Sequence, residues 1–333
     1  MFQLIIIRLK RIIYRLLRRS EKYTKTDMVY LAKGGFWLSL GQIISSVSTF
    51  LLAIAFANLL PKEVYGTYKY VLSLLGLLAI STLSGMGTAV TRAVAQGNDG
   101  SFLPALKLKI RWGLLGGLAS LGLAGYYYLQ GNIQLTFAFL ITAIFIPFMD
   151  SFSLYGSLLA GKKRFDVSSK YGIFIKIIAS LLIFITLCFT KNLLAILFIY
   201  LASYTLLRLI VLKLSLKYIE NKKEDPESIS YGKHLSLMNI ISLIASQIDK
   251  ILIFHFLGAG QLAVYSIAIA LPEQIKGVLK NISNLALPKF SEKKSEEIKK
   301  TLYQKMRLFY IVLLFIVIVY WLLAPTLFKL LFS

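Results

Sequence analysis

Apolar residues along this chain come in long unbroken runs, not in the alternating or 3.6-residue stripes of a soluble domain. Nine runs, roughly 36–60, 68–91, 112–130, 134–159, 171–189, 192–212, 235–257, 263–288 and 308–324, are about as long as a helix needs to cross a ~30 Å hydrocarbon core. Each is predicted as a membrane-spanning α-helix, because a helix satisfies its own backbone hydrogen bonds where no water is at hand. The connections alternate in charge. Of the 38 Lys and Arg residues, 30 fall in 1–35, 92–111, 160–170, 208–233 and 289–307. The opposite connections and the C-terminal end hold only Lys62, Lys69, Lys191 and Lys329. Cytoplasmic loops retain Lys and Arg. The pattern therefore predicts an all-α polytopic protein of the plasma (inner) membrane, multi-pass, with a cytoplasmic N-terminus and a ninth crossing that ends outside.

A net charge of +23 beside 57% hydrophobic residues fits charges that flank membrane spans, where they set orientation and attract anionic headgroups. No basic patch sits on a soluble domain, so no nucleic-acid partner is expected. The one cysteine, Cys188, lies in an apolar run; it forms no intrachain disulfide and reads as a small packing residue. His234 and His255 lack metal-ligand spacing, and no nucleotide loop, hydrolase elbow or metalloprotease motif is present. Neither an enzyme, a metal site nor a bound cofactor is expected. Residues 1–27 form a basic arm in which Arg8, Arg11, Arg15 and Arg18 recur opposite Ile5, Leu9, Ile12 and Leu16. Such an amphipathic helix suits the anionic lipids of the cytoplasmic leaflet.

The chain also repeats itself. Shifted by 197 residues, 32–74 superposes on 229–271 without a gap and with 11 identities in 43 positions. Gly35 meets Gly232, Ser39 meets Ser236, Ser45 meets Ser242 and Tyr68 meets Tyr265. Six crossings separate the copies, so both run the same way through the membrane as parallel repeats, with a site expected between the halves. This divides the chain into a first six-helix half (28–217), a cytoplasmic linker (218–234) and an incomplete second half (235–333). A complete second half would need about three further helices, so the chain is expected to be truncated relative to a longer parent.

Without a soluble domain, the chemistry must come from polar groups within the membrane, where they usually face a protein interior or a water-filled cavity. Gln42, Ser45, Ser46 and Thr49 share a narrow arc of the first segment at about 100° per residue. The repeat sets Asn239, Ser242 and Ser246 at matching places on the seventh, where Lys250 continues the stripe and Asp249 lies beside it. On the eighth, Glu273, Lys276, Lys280 and Asn284 share a stripe after Pro272, which permits a kink. Pairing of Lys250 with Glu273, or of Asp249 with Lys276, would lower the desolvation cost. Three lysines against two acids then leave one positive charge for an anionic ligand. A purely structural ion-pair network is the competing reading. Asp150, after Pro147, faces the first-half cavity or is protonated. Lys176 is expected to snorkel to the inner face. Arg92 and Arg208 are expected to anchor helix ends, placed where they would also meet a phosphate from the cytoplasm.

Three stretches carry a family resemblance: the opening "YLAKGGFWLSLGQIISSVSTFLLAIAFANLLPKEVYGTYKY", the second-segment ending "LSGMGTAVTRAVAQ", and "SQIDKILIFHFLGAGQLAVYSIA" in the seventh. Over about residues 28–333 the chain resembles the polysaccharide-unit (O-antigen, lipid-linked oligosaccharide) flippases of the multidrug/oligosaccharidyl-lipid/polysaccharide exporter superfamily. The resemblance implies two parallel six-helix halves in a V around a central cavity. About nine of an expected twelve to fourteen helices are seen. It further implies alternating-access transport of a polyprenyl-pyrophosphate-linked oligosaccharide. Asp249 and Lys250 fall on the family's seventh-helix Asp-Arg/Lys element, and Arg92 on its basic residue after the second-helix glycines. Coupling would use a proton or sodium gradient, with Asp249 and Glu273 as carriers. Glycan polymerases or transferases are the expected protein partners. The alternatives are a drug or metabolite/cation antiporter of the same fold, a peptidoglycan-precursor flippase, and a non-transporting scaffold for glycan assembly.

Overall fold

The computed structural model describes residues 28–270 with Pro272, Glu273, Tyr310 and Leu314, and side chains from Gly35 onward. The basic arm, Lys276, Lys280, Asn284 and nearly all of the ninth segment lie outside the described residues. Within them every regular element is helical. In chain order these are α1 (Met28–Leu59), α2 (Lys62–Leu78), α3 (Met86–Ala95), α4 (Phe102–Leu129), α5 (Ile133–Met149), α6 (Tyr155–Gly161), α7 (Phe165–Phe189), α8 (Leu193–Ser215), α9 (Ser228–Ala245), α10 (Ile248–Leu257) and α11 (Ala259–Ala270). Among the described residues, six helical stretches are long and apolar enough to cross a membrane. The chain is an all-α, multi-pass membrane protein.

Helix ends follow local chemistry. Pro61 stands just before α2, with its φ of −57° already suited to a helix start and Glu63 in the first turn. Asn132 caps α5 by accepting from the Leu135 amide at 3.0 Å, and Asn192 caps α8 through the Leu194 amide at 2.8 Å. The expected third span, 112–130, lies inside α4, whose 28 residues reach about 42 Å. It is not one of the six most apolar stretches, because Gly113, Gly116, Gly117 and three tyrosines dilute its hydropathy.

Three expected spans are interrupted. The second breaks in a 3-10 turn, Ala79–Thr82, followed by Leu83 at φ 57°. The fourth breaks after Pro147 in a second 3-10 turn, Ser151–Leu154, and the seventh breaks at Ser246–Gln247. Backbone groups freed at the fourth are caught by neighbours: Ser151 Oγ donates to the Pro147 carbonyl at 2.7 Å, and Arg208 donates to the Met149 carbonyl at 2.6 Å. Such interruptions survive at membrane depth only where protein re-satisfies the backbone.

α4 runs along α5 through its glycines. A Cβ at Gly113 would sit 2.8 Å from Pro147 Cα, so only hydrogen fits there. One core cluster gathers Tyr65, Val71, Phe139, Leu197 and Leu201; the other gathers Met86, Val90, Phe102, Leu158 and Val211. Cys188, expected to pack, is instead exposed, because its neighbour Leu187 takes the inward direction on α7. The seventh expected segment meets the second along its length. Gly85 N donates to Ser236 Oγ at 3.0 Å, Arg92 lies 5.1 Å over the Tyr231 ring, and Tyr70 stacks on Phe254 at 3.8 Å. The linker is tied to the loops after α3 and α6 as well. Gly100 N donates to the Lys223 carbonyl at 2.8 Å, and Lys162 lies 2.7 Å from Asp99 and 3.0 Å from Glu220.

Candidate substrate-binding cavity

On α2, Tyr65, Tyr68, Lys69 and Leu72 follow i, i+3, i+4, i+7 spacing and so share one face. On α8, Tyr200 and Tyr204 do the same. These faces meet Thr49, Leu52, Ala53 and Phe56 of α1, Lys176 and Ile183 of α7, Ala270 at the end of α11, and Glu273 beyond it around a cavity of about 170 Å³. Phe56 stacks on Tyr65 at 5.3 Å and on Tyr68 at 4.8 Å, and Tyr68 meets Tyr200 edge-on at 6.0 Å. The wall is a continuous run of aromatic rings.

Charge enters that wall at two lysines. Lys69 Nζ lies 5.4 Å from the Tyr65 ring centroid, and Lys176 Nζ donates to Tyr204 Oη at 3.3 Å. Neither forms an ion pair among the described residues. Lys176 stands about 16 Å along α7 from its first residue, near the middle of that helix. Where a snorkelling lysine was expected, its amine turns to the tyrosine face of α8, which supplies a polar partner in place. Tyr65 is 1% exposed, and its hydroxyl has no hydrogen-bond partner among the described residues. Its hydroxyl is thus a donor and acceptor without an internal partner in a cavity that also holds two cations. A larger cavity of about 520 Å³ lies between α1 and α7, lined by Leu51, Ile177, Leu181 and Phe184. It carries no charged group, so the chemistry sits in the smaller one.

Glu273, beyond α11, accepts through Oε1 from Lys250 Nζ at 3.0 Å. This is one of the two pairings expected from sequence. The other, Asp249 with Lys276, falls outside the described residues. Asp249 instead accepts from the Tyr265 hydroxyl through Oδ2, while its buried Oδ1 has no partner among the described residues.

A second charged group lies where the two broken helices meet. Asp150 Oδ2 accepts from Lys109 Nζ at 2.8 Å and from Thr82 Oγ1 at 2.6 Å. Lys109 is 3% exposed. Asp150 is therefore a paired carboxylate. Arg208, expected as a helix-end anchor, instead lies 5.5 Å over the Tyr204 ring while holding the Met149 carbonyl.

Of the remaining expected site residues, Thr49 lines the cavity. Gln42 and Ser45 bond within α1, Gln42 to Ser46 Oγ at 3.2 Å and Ser45 through its carbonyl to Thr49 Oγ1 at 2.8 Å. Asn239 donates to Ser84 Oγ at 3.3 Å, Ser242 is exposed, and Ser246 donates to the Leu243 carbonyl at 2.7 Å. None of these three lines the cavity. Arg92 sits at the contact between α3 and α9.

Sequence reasoning missed Lys69, Lys109 and the tyrosine wall. Lys69 was counted with the outer connections because the apolar run begins only at 68. The Pro61-Lys62-Glu63 start signal would have set the helix six residues earlier and Lys69 two turns inside it. Lys109 sits between Lys107 and Arg111 in a basic run, and nothing in its neighbours marks it as the buried member.

A family model described as "Polysaccharide biosynthesis protein" matches residues 31–294. No curated protein and no solved structure matches the chain.

Proposed function

Because the chain belongs to the polysaccharide biosynthesis protein family, the family of polysaccharide and O-antigen flippases, we propose that it moves a polyprenyl-pyrophosphate-linked oligosaccharide from the inner to the outer leaflet of the plasma membrane. Members of this family are transporters and not enzymes. The chain is accordingly a multi-pass exporter of polysaccharide biosynthesis in general terms. The specific cargo, alternating access and a cytoplasmic N-terminus are our reading.

One observation carries it: a cavity between apolar helices that joins two cations, outside ion pairs among the described residues, to an aromatic and hydroxyl-bearing wall. A pyrophosphate head needs cations in place of its lost water. Sugars need flat apolar faces with hydrogen-bonding edges, which tyrosine supplies. A cation antiporter would need an acid free to exchange in the first half. Asp150 is held by Lys109, which weighs against that alternative.

The test is deletion of the gene, with mass-spectrometric measurement of polyprenyl-linked oligosaccharide and of surface glycan. Lipid-linked units should accumulate and surface polymer should fall, with rescue by wild type and not by Lys69→Met/Lys176→Met. Unchanged glycan lipids together with new sensitivity to cationic drugs would overturn the reading.

A further inference from the structure

The cavity holds a carboxylate of its own. Glu273 lines it together with Lys69 and Lys176 and is bonded to Lys250. Lys69, Lys176 and Glu273 line one cavity and Lys250 is bonded to Glu273, so the four side chains form one charged group. Three lysines against one glutamate leave a formal charge of +2. A diphosphate diester carries one negative charge on each phosphate, so this total equals the charge such a head brings.

We propose that Glu273 is a built-in counter-anion that competes with the ligand's diphosphate for the lysines and so sets how tightly the head is held. The proposal rests on the flippase reading and adds a residue that limits affinity to it. Two structural facts point this way. Glu273 stands beyond α11, whereas Lys69 and Lys176 belong to α2 and α7, so the carboxylate and the cations it screens come from different helices. And its bond to Lys250, at 3.0 Å with the Lys250 side chain only 15% exposed, keeps it off Lys69 and Lys176. Lys250 is then a positioning residue for Glu273. Without Lys250, the carboxylate is free to neutralise Lys69 and exclude the ligand. Without Glu273, the cavity over-binds an anion and releases it slowly.

The test uses the full-length purified protein in nanodiscs and a short-chain probe, geranyl-diphospho-N-acetylglucosamine, with a neutral geranyl glucoside as control. Glu273→Gln should bind the diphosphate probe more tightly, on the order of five- to tenfold, while binding the neutral control unchanged. One like charge removed about 12 Å away in a medium of effective dielectric near 20 gives a change of that order, and a closer one gives more. Lys250→Met should bind more weakly than wild type, and Lys250→Met/Glu273→Gln should recover wild-type binding or better. That recovery is the signature of a positioning role: if Lys250 touched the diphosphate directly, the double variant would stay weak. In vesicles, Glu273→Gln should also move probe more slowly at saturation. Glu273→Gln binding equally or more weakly than wild type, with the protein still monodisperse, overturns the counter-anion and leaves the flippase reading standing. Wild type that prefers the neutral control, or binds neither probe, overturns both.

Discussion

Replacing Asp150 by Asn tests the reading of the broken-helix junction most directly. In the native protein Lys109 is 3% exposed and bonded to Asp150 at 2.8 Å, and the carboxylate also accepts from Thr82 at 2.6 Å. Breaking a fully buried pair by removing one partner costs about 3–5 kcal/mol, because the remaining charge is stranded. The Asp150 side chain is 39% exposed, so the electrostatic part is partly screened and the expected cost of Asp150→Asn falls to about 2–3 kcal/mol. Lys109→Met should cost less, about 1–2 kcal/mol, since the carboxylate keeps Thr82 and its partial exposure. In Lys109→Met/Asp150→Asn no charge is stranded, so the double variant should be less destabilised than Asp150→Asn alone. The coupling should then exceed about 1.5 kcal/mol. Reversible unfolding in mixed micelles by added SDS, followed by circular dichroism, measures all four proteins. Strictly additive costs, or an Asp150→Asn protein as stable as wild type, would refute a structural pair and make Asp150 a mobile acid.

Tyr65→Phe removes a buried hydroxyl without an internal partner among the described residues, so stability should hold or rise slightly while oligosaccharide export falls. Equal export by Tyr65→Phe and wild type would take that hydroxyl out of the site. Lys69→Met and Lys176→Met should each reduce export roughly 10-fold or more, the order of a lost charge-assisted contact, with normal membrane levels on immunoblots. Gly66→Ala places a Cβ 1.7 Å from the Ala259 carbonyl oxygen and should destabilise the packing between the halves by more than about 2 kcal/mol. Gly122→Ala, with open space at the same position, should be neutral in the same thermal-shift assay. On a Cys188→Ser background, an impermeant maleimide applied to intact cells should label Lys191→Cys and not Lys222→Cys. The reverse pattern would invert the topology.

Hydrophobic run length was enough to settle that this is an all-helical multi-pass protein. Burial of a span in lipid depends on its own composition, and no distant partner is needed to read it. The family was legible for a similar reason: it is written in contiguous stretches, the longest in and beside α1. The Lys250–Glu273 pair was foreseen because two opposite charges inside apolar runs have few ways to be tolerated.

The cavity was decided by tertiary structure. A lysine at an apolar helix edge can snorkel, pair or point inward, and periodicity does not choose among these. Lys176 turns inward because α8 presents Tyr204 to it, and Lys109 is buried because two broken helices bring Asp150 to its end. The same holds for the breaks. Pro147 announces one from sequence, whereas Leu83 and Ser246–Gln247 carry no proline and are interrupted in the folded context of their neighbours. Sequence by itself determined that the chain is an all-helical, multi-pass membrane protein. Which of its polar groups meet around one cavity depended on side chains remote in the chain, and only the packed helices set those distances.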